Sequence, residues 1–416
     1  MPNVHRVALV LTIQACLLVV QGCMSSATVQ PPPLKPLTVI AIGDVGNEGQ
    51  YLRAAARLVN DMHAARHDGG RPHVLLFLGD NFYPIGLNGE KREAESMVRS
   101  ILHAFRPTLE GLGRENVHAI AGNHDYYARN VIDESILFGL INITAGPVGI
   151  SDRGNLRSRQ IPWWTYHSGM PAEVTYPLYE GAQDSVQLIL FDSALPLRTD
   201  PTTWRPALDS LGRLLERSAT RPGTIWRVLA QHHPWYSLGP HGGYSVWDDE
   251  TETVTYLSNC DKDSNAVQWF LNSIDPEDLC TEKYRQFLDS SRSVIHRSRA
   301  TIHVLLSAHE HSLQLLALPE TPPPCDGCPK FQIISGAGSD PKIVRFPEPP
   351  RAFTSSRPTE KGKSHAGFAQ LMFGSDSLRV VFFDVDGEMI DMGGGATQFW
   401  IHRDGRLTYQ TSTEPR

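Results

Sequence analysis

Val74-Leu75-Leu76-Phe77-Leu78-Gly79-Asp80-Asn81-Phe82-Tyr83 is the stretch that decides the fold. Five consecutive apolar residues read as a fully buried strand. The run stops abruptly at a carboxylate. Ligand-bearing residues of open α/β sheets lie just beyond the carboxyl ends of strands, and a carboxylate has two oxygens with which to bridge two cations. A single Asp after a strand is more often a turn or capping residue, so Asp80 has to be weighed against the rest of the chain.

The same arrangement recurs four times. Val39-Ile40-Ala41-Ile42-Gly43 ends in Asp44-Val45-Gly46, and Val117-His118-Ala119-Ile120-Ala121 leads into Gly122-Asn123-His124-Asp125. Val228-Leu229-Ala230-Gln231 leads into His232-His233-Pro234, and Ile302-His303-Val304-Leu305-Leu306-Ser307 into Ala308-His309-Glu310-His311. All five ends carry oxygen or imidazole donors, and none carries a bulky apolar residue. Together they offer two Asp, a Tyr, an Asn and three His. That inventory suits two adjacent hard or borderline metals better than one zinc in a thiolate cage.

These blocks, in this order, resemble the calcineurin-like metallophosphoesterase superfamily, with its pattern GD…GD…GNH…H…GHxH. Within it, the chain is most similar to the small purple acid phosphatases of the tartrate-resistant type. Gly43-Asp44-Val45-Gly46, Tyr83, Ala308-His309-Glu310-His311-Ser312-Leu313-Gln314 and Ile334-Ser335-Gly336-Ala337-Gly338 carry that likeness, which runs roughly from Thr38 to Asp386. Ala308 stands where the family usually has Gly, which predicts a cost in backbone freedom but no lost ligand.

The resemblance implies two cations bridged by Asp80. Asp44, Tyr83 and His311 join Asp80 on the first metal, and Asn123, His232 and His309 join it on the second. Two cations about 3.5–4 Å apart clamp a phosphate ester and make hydroxide available near neutral pH. A phenolate suits a ferric ion, so Fe(3+) is expected at the Tyr83 site, with iron, zinc or manganese as its neighbour. His124 lies beside a ligand, placed to meet a phosphoryl oxygen or to protonate the leaving group. Asp125 would hold its imidazole. His241, nine positions after His232, matches a second family His near the leaving group. His233 is left aside as the neighbour of a ligand, and Asp192 is read as structural or as a support behind the ligands. The expected activity is a phosphomonoesterase of acid-phosphatase character. Same-fold alternatives are a diesterase or nucleotide pyrophosphatase. A surface binding lipoprotein without turnover is the alternative of another class.

The chain begins with what reads as an export signal over residues 1–22. Arg6 precedes an apolar core from Val7 to Val20, too short to span a bilayer. Val20-Gln21-Gly22-Cys23 resembles a bacterial lipoprotein cleavage box, with Cys16 as a rival and an ordinary signal peptide as the plainer alternative. A lipid on Cys23 would tie the exported protein to a membrane. Gln30-Pro31-Pro32-Pro33-Leu34-Lys35-Pro36 completes a stiff tether over 23–37. Of six Cys, removing Cys16 and lipidating Cys23 leaves four, for which Cys260–Cys280 and Cys325–Cys328 are the favoured pairs. The C-x-x-C at Cys325 reads as a loop staple, with redox activity or a metal half-site as the alternative. Net charge is −7 with no basic stripe, so nucleic acid is not an expected partner.

Length alone suggests two or three domains, but blocks from Asp44 to His311 must converge on one site, so 38–416 is read as one domain. Strands at 39–42, 74–78, 117–121, 186–191 and 226–230 alternate with helices near 49–66, 90–105 and 205–218. Later strands follow at Leu313–Leu318, Phe331–Ser335, Ala366–Phe373, Leu378–Asp384 and Phe399–His402. The pattern, with the resemblance, predicts an α/β fold: a four-layer α/β/β/α sandwich of two mixed β-sheets. Trp163, Trp164, Tyr166, Tyr176 and Tyr179 read as an edge strand or loop packed on the sandwich, with a substrate wall as the alternative. Residues 243–299 are unfamiliar and form either a lid beside His241 or a stapled surface excursion.

Overall fold

The computed structural model describes residues 36–65, 73–83, 86–87, 91–125, 161–199, 201–242, 246–248, 253–255, 278–279, 281–319 and 324–411. The expected export signal, the Cys23 anchor and the Cys260–Cys280 pair lie outside the described residues.

In chain order the first half comprises β1 (Leu37–Ile42), α1 (Gln50–Ala64), β2 (Val74–Phe77), α2 (Lys91–Leu102), α3 (Arg106–Leu112), β3 (Val117–Ile120), β4 (Thr165–His167), β5 (Ala172–Pro177), β6 (Ser185–Phe191), α4 (Ala194–Arg198), α5 (Pro201–Ala219) and β7 (Thr224–Gln231). The second half comprises β8 (Val246–Asp248), β9 (Thr253–Thr255), α6 (Glu282–Ser298), β10 (Val304–Ser307), β11 (Leu313–Ala317), β12 (Phe331–Ser335), β13 (Ala352–Thr354), β14 (Ser356–Arg357), β15 (Lys363–Ser364), β16 (Gly367–Phe373), β17 (Ser377–Asp384), β18 (Ala396–His402) and β19 (Leu407–Thr411).

These strands build two mixed sheets, as expected. One has the order β19-β18-β17-β16-β1-β2-β3-β4, the other β13-β11-β12-β10-β7-β6-β5. In the first, β1, β2, β3 and β4 run parallel and β16 pairs antiparallel with β1. In the second, β6, β7, β10 and β12 run parallel. Alternation along β1 explains the layering. Val39 and Ala41 enter the core between the sheets with Leu76, Leu188, Val228, Leu306 and Leu371. Ile40 and Ile42 face outward, onto α1 and the α2–α3 region through Leu52, Val59, Leu102 and Leu109. The outer face of the second sheet is covered by α5 and α6 through Leu211, Leu215, Tyr284, Phe287 and Ile295. Parallel strands covered on both faces must be apolar throughout, which is why they read as continuous runs.

Local differences have local causes. α5 starts at Pro201, earlier than the sequence pattern suggests, with Pro206 inside it. Pro206 is the sixth residue of the helix, just past the four N–H groups that lack intrahelical partners, so it forgoes one bond, to the carbonyl of Thr202. The aromatic stretch packs the sheet edges: Trp164 is buried against Phe77 and Phe82, β4 ends the first sheet and β5 the second. Within the 243–299 segment, residues 282–298 form α6, whose buried face packs on the second sheet. Cys325 and Cys328 are joined by a disulfide.

Candidate metal centre

Because β1, β2 and β3 are parallel, their carboxyl ends share one edge; β7 and β10 do the same in the second sheet. The turns that leave these ends meet across the top of the inter-sheet core. His309 N donates to Asp44 Oδ2 at 2.9 Å, closing the gap between sheets. Asp44, Asp80, His309 and His311 have φ of 55°, 52°, 69° and 47°. This left-handed region is uncommon for residues other than Gly. It bends each turn sharply after its strand. Ala308 is not among the positive-φ residues, so the expected loss of backbone freedom does not arise. Its methyl instead fills the space a side chain on Gly43 would need, 2.3 Å from such a carbon.

Two groups of donors form. In the first, the Tyr83 hydroxyl lies 2.9 Å from Asp44 Oδ1, 2.9 Å from Asp80 Oδ2 and 3.0 Å from His311 Nε2. In the second, His232 Nε2 lies 3.0 Å from Asn123 Oδ1 and 3.4 Å from Asp80 Oδ2, and the His309 ring stands 5.1 Å from that of His232. Asp80 belongs to both. Ligand atoms of Asp44, Asp80 and His232 lie within 4.8 Å of one another, as do those of His232, His233 and His309. Thus all seven residues assigned as ligands from the sequence come together.

The electrostatics fit cations. Asp44 and Asp80 are both buried. Burial pushes the Asp44 carboxyl well above the usual range, His232 pulls it back in part and Asp80 raises it further. For Asp80, burial is outweighed by His232 and His124, and the carboxyl is held low. Burial also opposes charge on His232, but Asp80 and Asp44 lift that imidazole to about 9, and a cation held by the same carboxylates would take the place of its extra proton. Burial keeps His309 well below its usual value and His311 at about 4. Both are therefore neutral, as a ligating imidazole must be. His309 Nε2 is buried with no hydrogen-bond partner among the described residues, an orphan acceptor of the kind a cation satisfies. Burial and the two Asp charges push the Tyr83 phenol up; a bound cation reverses that balance.

His124 donates its backbone N–H to Asp80 Oδ1 at 2.8 Å, and its ring lies 4.5 Å from that of Tyr83. Asp125 is fully buried. Its oxygens accept from Asn81 N at 2.9 Å, Asn81 Nδ2 at 2.7 Å and Gly122 N at 2.9 Å. Burial raises its carboxyl to about 7. Asp125 thereby ties the β2 and β3 turns together. The His241 ring lies 4.1 Å from the His309 ring, and Asp192 caps α4 by accepting from Ala194 N and Leu195 N.

Four neighbours were not given roles by the sequence. Asn81 is the partner of Asp125; its position beside Asp80 is the signal. His233, beside a ligand in sequence, also lies beside one in space. Its Nδ1 is 2.9 Å from Ser193 Oγ, and its ring is 4.5 Å from that of His309. Glu310 accepts from His241 N at 3.3 Å, and Asp278 lies against His241 Nδ1.

A family model described as calcineurin-like phosphoesterase matches residues 37–312, more than half of the chain. Among solved structures, the chain is similar to GAP50, the anchor in the inner membrane complex of Plasmodium. The identity is 12% over 91% of this chain and 89% of that one, with a TM-score of 0.50. It is similar to PhoD at 11% identity, over 92% of this chain and 73% of that one, with a TM-score of 0.47. For the phosphopantetheinyl hydrolase PptH from Mycobacterium tuberculosis the identity is 11% over 73% and 90%, with a TM-score of 0.33. No curated protein matches the chain. Likenesses this distant concern the fold, but the matched span contains every strand-end block from Asp44 to His311. The family is dinuclear and metal-dependent, in keeping with the two clusters. The chain belongs to the calcineurin-like phosphoesterase family.

Proposed function

We propose that this chain is an exported, lipid-anchored phosphomonoesterase of the purple acid phosphatase type. The observation that carries the assignment is the Tyr83 hydroxyl, set within 2.9–3.0 Å of Asp44, Asp80 and His311. A phenolate among two carboxylates and an imidazole favours a ferric ion. We assign Fe(3+) to Asp44, Asp80, Tyr83 and His311. Iron, zinc or manganese is assigned to Asp80, Asn123, His232 and His309.

When bound, the two cations supply Lewis acidity, neutralising phosphoryl charge and making water nucleophilic near neutral pH. The chain's own residues do the rest. His124 meets phosphoryl or leaving oxygens from beside Tyr83. Asp125 holds that turn rigid through Asn81 and Gly122, so the donor geometry is fixed before substrate arrives. His241 approaches over His309. The anchor on Cys23 rests on the sequence alone, and mass spectrometry of the mature N-terminus tests it.

The main test is a panel of phosphate esters with metal analysis and visible absorption. The expected result is preference for monoesters and a charge-transfer band that Tyr83→Phe abolishes. A colourless, iron-free active enzyme overturns the purple-phosphatase assignment, and faster turnover of diesters or pyrophosphates overturns the monoesterase assignment.

A further inference from the structure

His241 is seated more firmly than a loop histidine needs to be. Its backbone N–H donates to Glu310 Oε2 at 3.3 Å, and its carbonyl accepts from Leu279 N at 3.0 Å. Its Nδ1 lies 2.9 Å from Asp278 Oδ1. Its ring lies over that of His309, with centroids 4.1 Å apart and planes tilted by 32°. Two of these four contacts come from one turn, Asp278–Leu279, just before α6 in the 243–299 segment. The Asp278 side chain is 11% exposed and that of His241 31%. The contact is therefore shielded enough to fix a ring.

The backbone carbonyl of Asp278 accepts from Thr281 N at 2.9 Å, and Thr281 caps α6 by accepting from Tyr284 N. The start of α6 is thus held by Asp278's backbone and by Thr281, while the Asp278 side chain is directed to His241.

We propose that Asp278 is the positioning residue that orients His241 toward the departing alcohol. The proposal rests on the phosphomonoesterase reading above. A carboxylate on Nδ1 fixes both the tautomer and the ring orientation, and Nε2 is then the nitrogen that serves the leaving oxygen. As the P–O bond to the alcohol breaks, its electron pair goes to that oxygen, which takes the Nε2 proton of the His241 imidazolium and leaves a neutral ring protonated on Nδ1 against Asp278. The attacking water forms the new P–O bond and gives up a proton to solvent, and the imidazole regains one from solvent. In sum, ester and water give alcohol and hydrogen phosphate. Glu310 holds the backbone of the same residue, so the two carboxylates grip His241 from the metal-ligand loop and from the turn before α6.

The experiment uses Asp278→Asn, His241→Ala and the double variant in the metal-loaded full chain, on a nitrophenyl phosphate and on an alkyl phosphate. Asp278→Asn is expected to lower kcat on the alkyl ester by about 10-fold to 10²-fold, part of what a positioned acid supplies. KM and metal content stay unchanged, and the nitrophenyl ester, which needs no proton, changes by less than about threefold. The double variant matches His241→Ala alone, because Asp278 acts only through that ring. Nitrogen NMR of the wild type shows a proton held on His241 Nδ1 in both the charged and the neutral ring, and Asp278→Ala displaces that signal. Equal losses on both esters, an additive double variant, lost metal or an unmoved Nδ1 signal overturns the role of Asp278. A wild type that turns over neither ester overturns the phosphomonoesterase reading itself.

Discussion

Gly122→Ala tests whether the site depends on Asp80 standing where it does. A methyl on Gly122 would lie 2.2 Å from Asp80 Oδ1, 2.3 Å from Asp80 N and 2.9 Å from its carboxyl carbon. Ordinary contact is about 3.5 Å, so a gap of roughly 1 Å must open. The carboxylate cannot yield cheaply. Oδ1 accepts from His124 N at 2.8 Å and Oδ2 from the Tyr83 hydroxyl at 2.9 Å, and the Asp80 carbonyl accepts from Gly46 N at 3.0 Å. The strain therefore falls on the turn carrying Asn123 and His124. Overpacking of this kind costs about 1–3 kcal/mol, which a domain of this size survives. A misplacement of about 1 Å at reacting groups costs on the order of 10²-fold in rate. The expected variant folds, binds substoichiometric metal and turns over at least about 10²-fold more slowly. Circular dichroism, elemental analysis and steady-state kinetics on one preparation report all three. Two bound metals and wild-type turnover would refute the reasoning, because the bridge would then tolerate a displacement that the geometry forbids.

Asp44→Asn removes one of two buried carboxylates that share the Tyr83 hydroxyl, keeps an acceptor for His309 N and suits a left-handed backbone. The burial that raises the Asp44 carboxyl costs stability as pH rises and the proton is lost, so the chelated variant should melt higher than chelated wild type while losing the rise that metal gives; a lower melting point contradicts this. Gly212→Ala should stabilise α5 by about 0.5–1 kcal/mol, since its methyl would only touch Val294 at 3.4 Å; denaturant midpoints decide. His303 is held at about 4 by burial, aided by Arg227 and Arg403, so the fold keeps it neutral while the unfolded chain takes up a proton below its usual 6.5. Stability is thus lost as pH falls from 6.5 toward 4, by up to about 3 kcal/mol, and His303→Gln should lessen the fall in melting temperature over that window; an unchanged fall refutes it.

The central sheets and the donor set were legible because burial and chemistry mark the same places. A parallel strand covered on both faces must be apolar, so its end is visible wherever a donor interrupts the run. Val74 to Leu78 followed by Asp80 is the clearest case. The elements that were missed carry neither signal clearly. α6 is rich in charge and Ser, and its apolar face is Tyr284, Phe287, Val294 and Ile295 within an unfamiliar segment. β4 and β13 are three residues long, too short for a period to show. Asp278 could not be linked to His241 from the sequence, since 37 positions separate them and no shared motif joins them.

The left-handed turns explain why these residue types, and not merely these charges, stand at the strand ends. Each of the four donors in such turns must fold back over the edge of its sheet within two to four residues of the end of its strand. A positive φ achieves that reversal, at a cost of about 1–2 kcal/mol for a residue with a side chain. Asp and His are among the non-Gly residues that enter this region most readily. Asp44, Asp80, His309 and His311 therefore satisfy two demands at once. The backbone bonds that hold them come from neighbouring turns: Asp44 N to Gly79 O, Gly46 N to Asp80 O, Ala308 N to His232 O and Lys342 N to His311 O. Each strained turn is thus fixed by another strand-end turn or by a loop from the second sheet, and the two sheets must be in register before any donor is in place. That dependence makes the centre a property of the whole sandwich. It is also why donors spread from Asp44 to His311 can be held to the tolerance that two adjacent cations require.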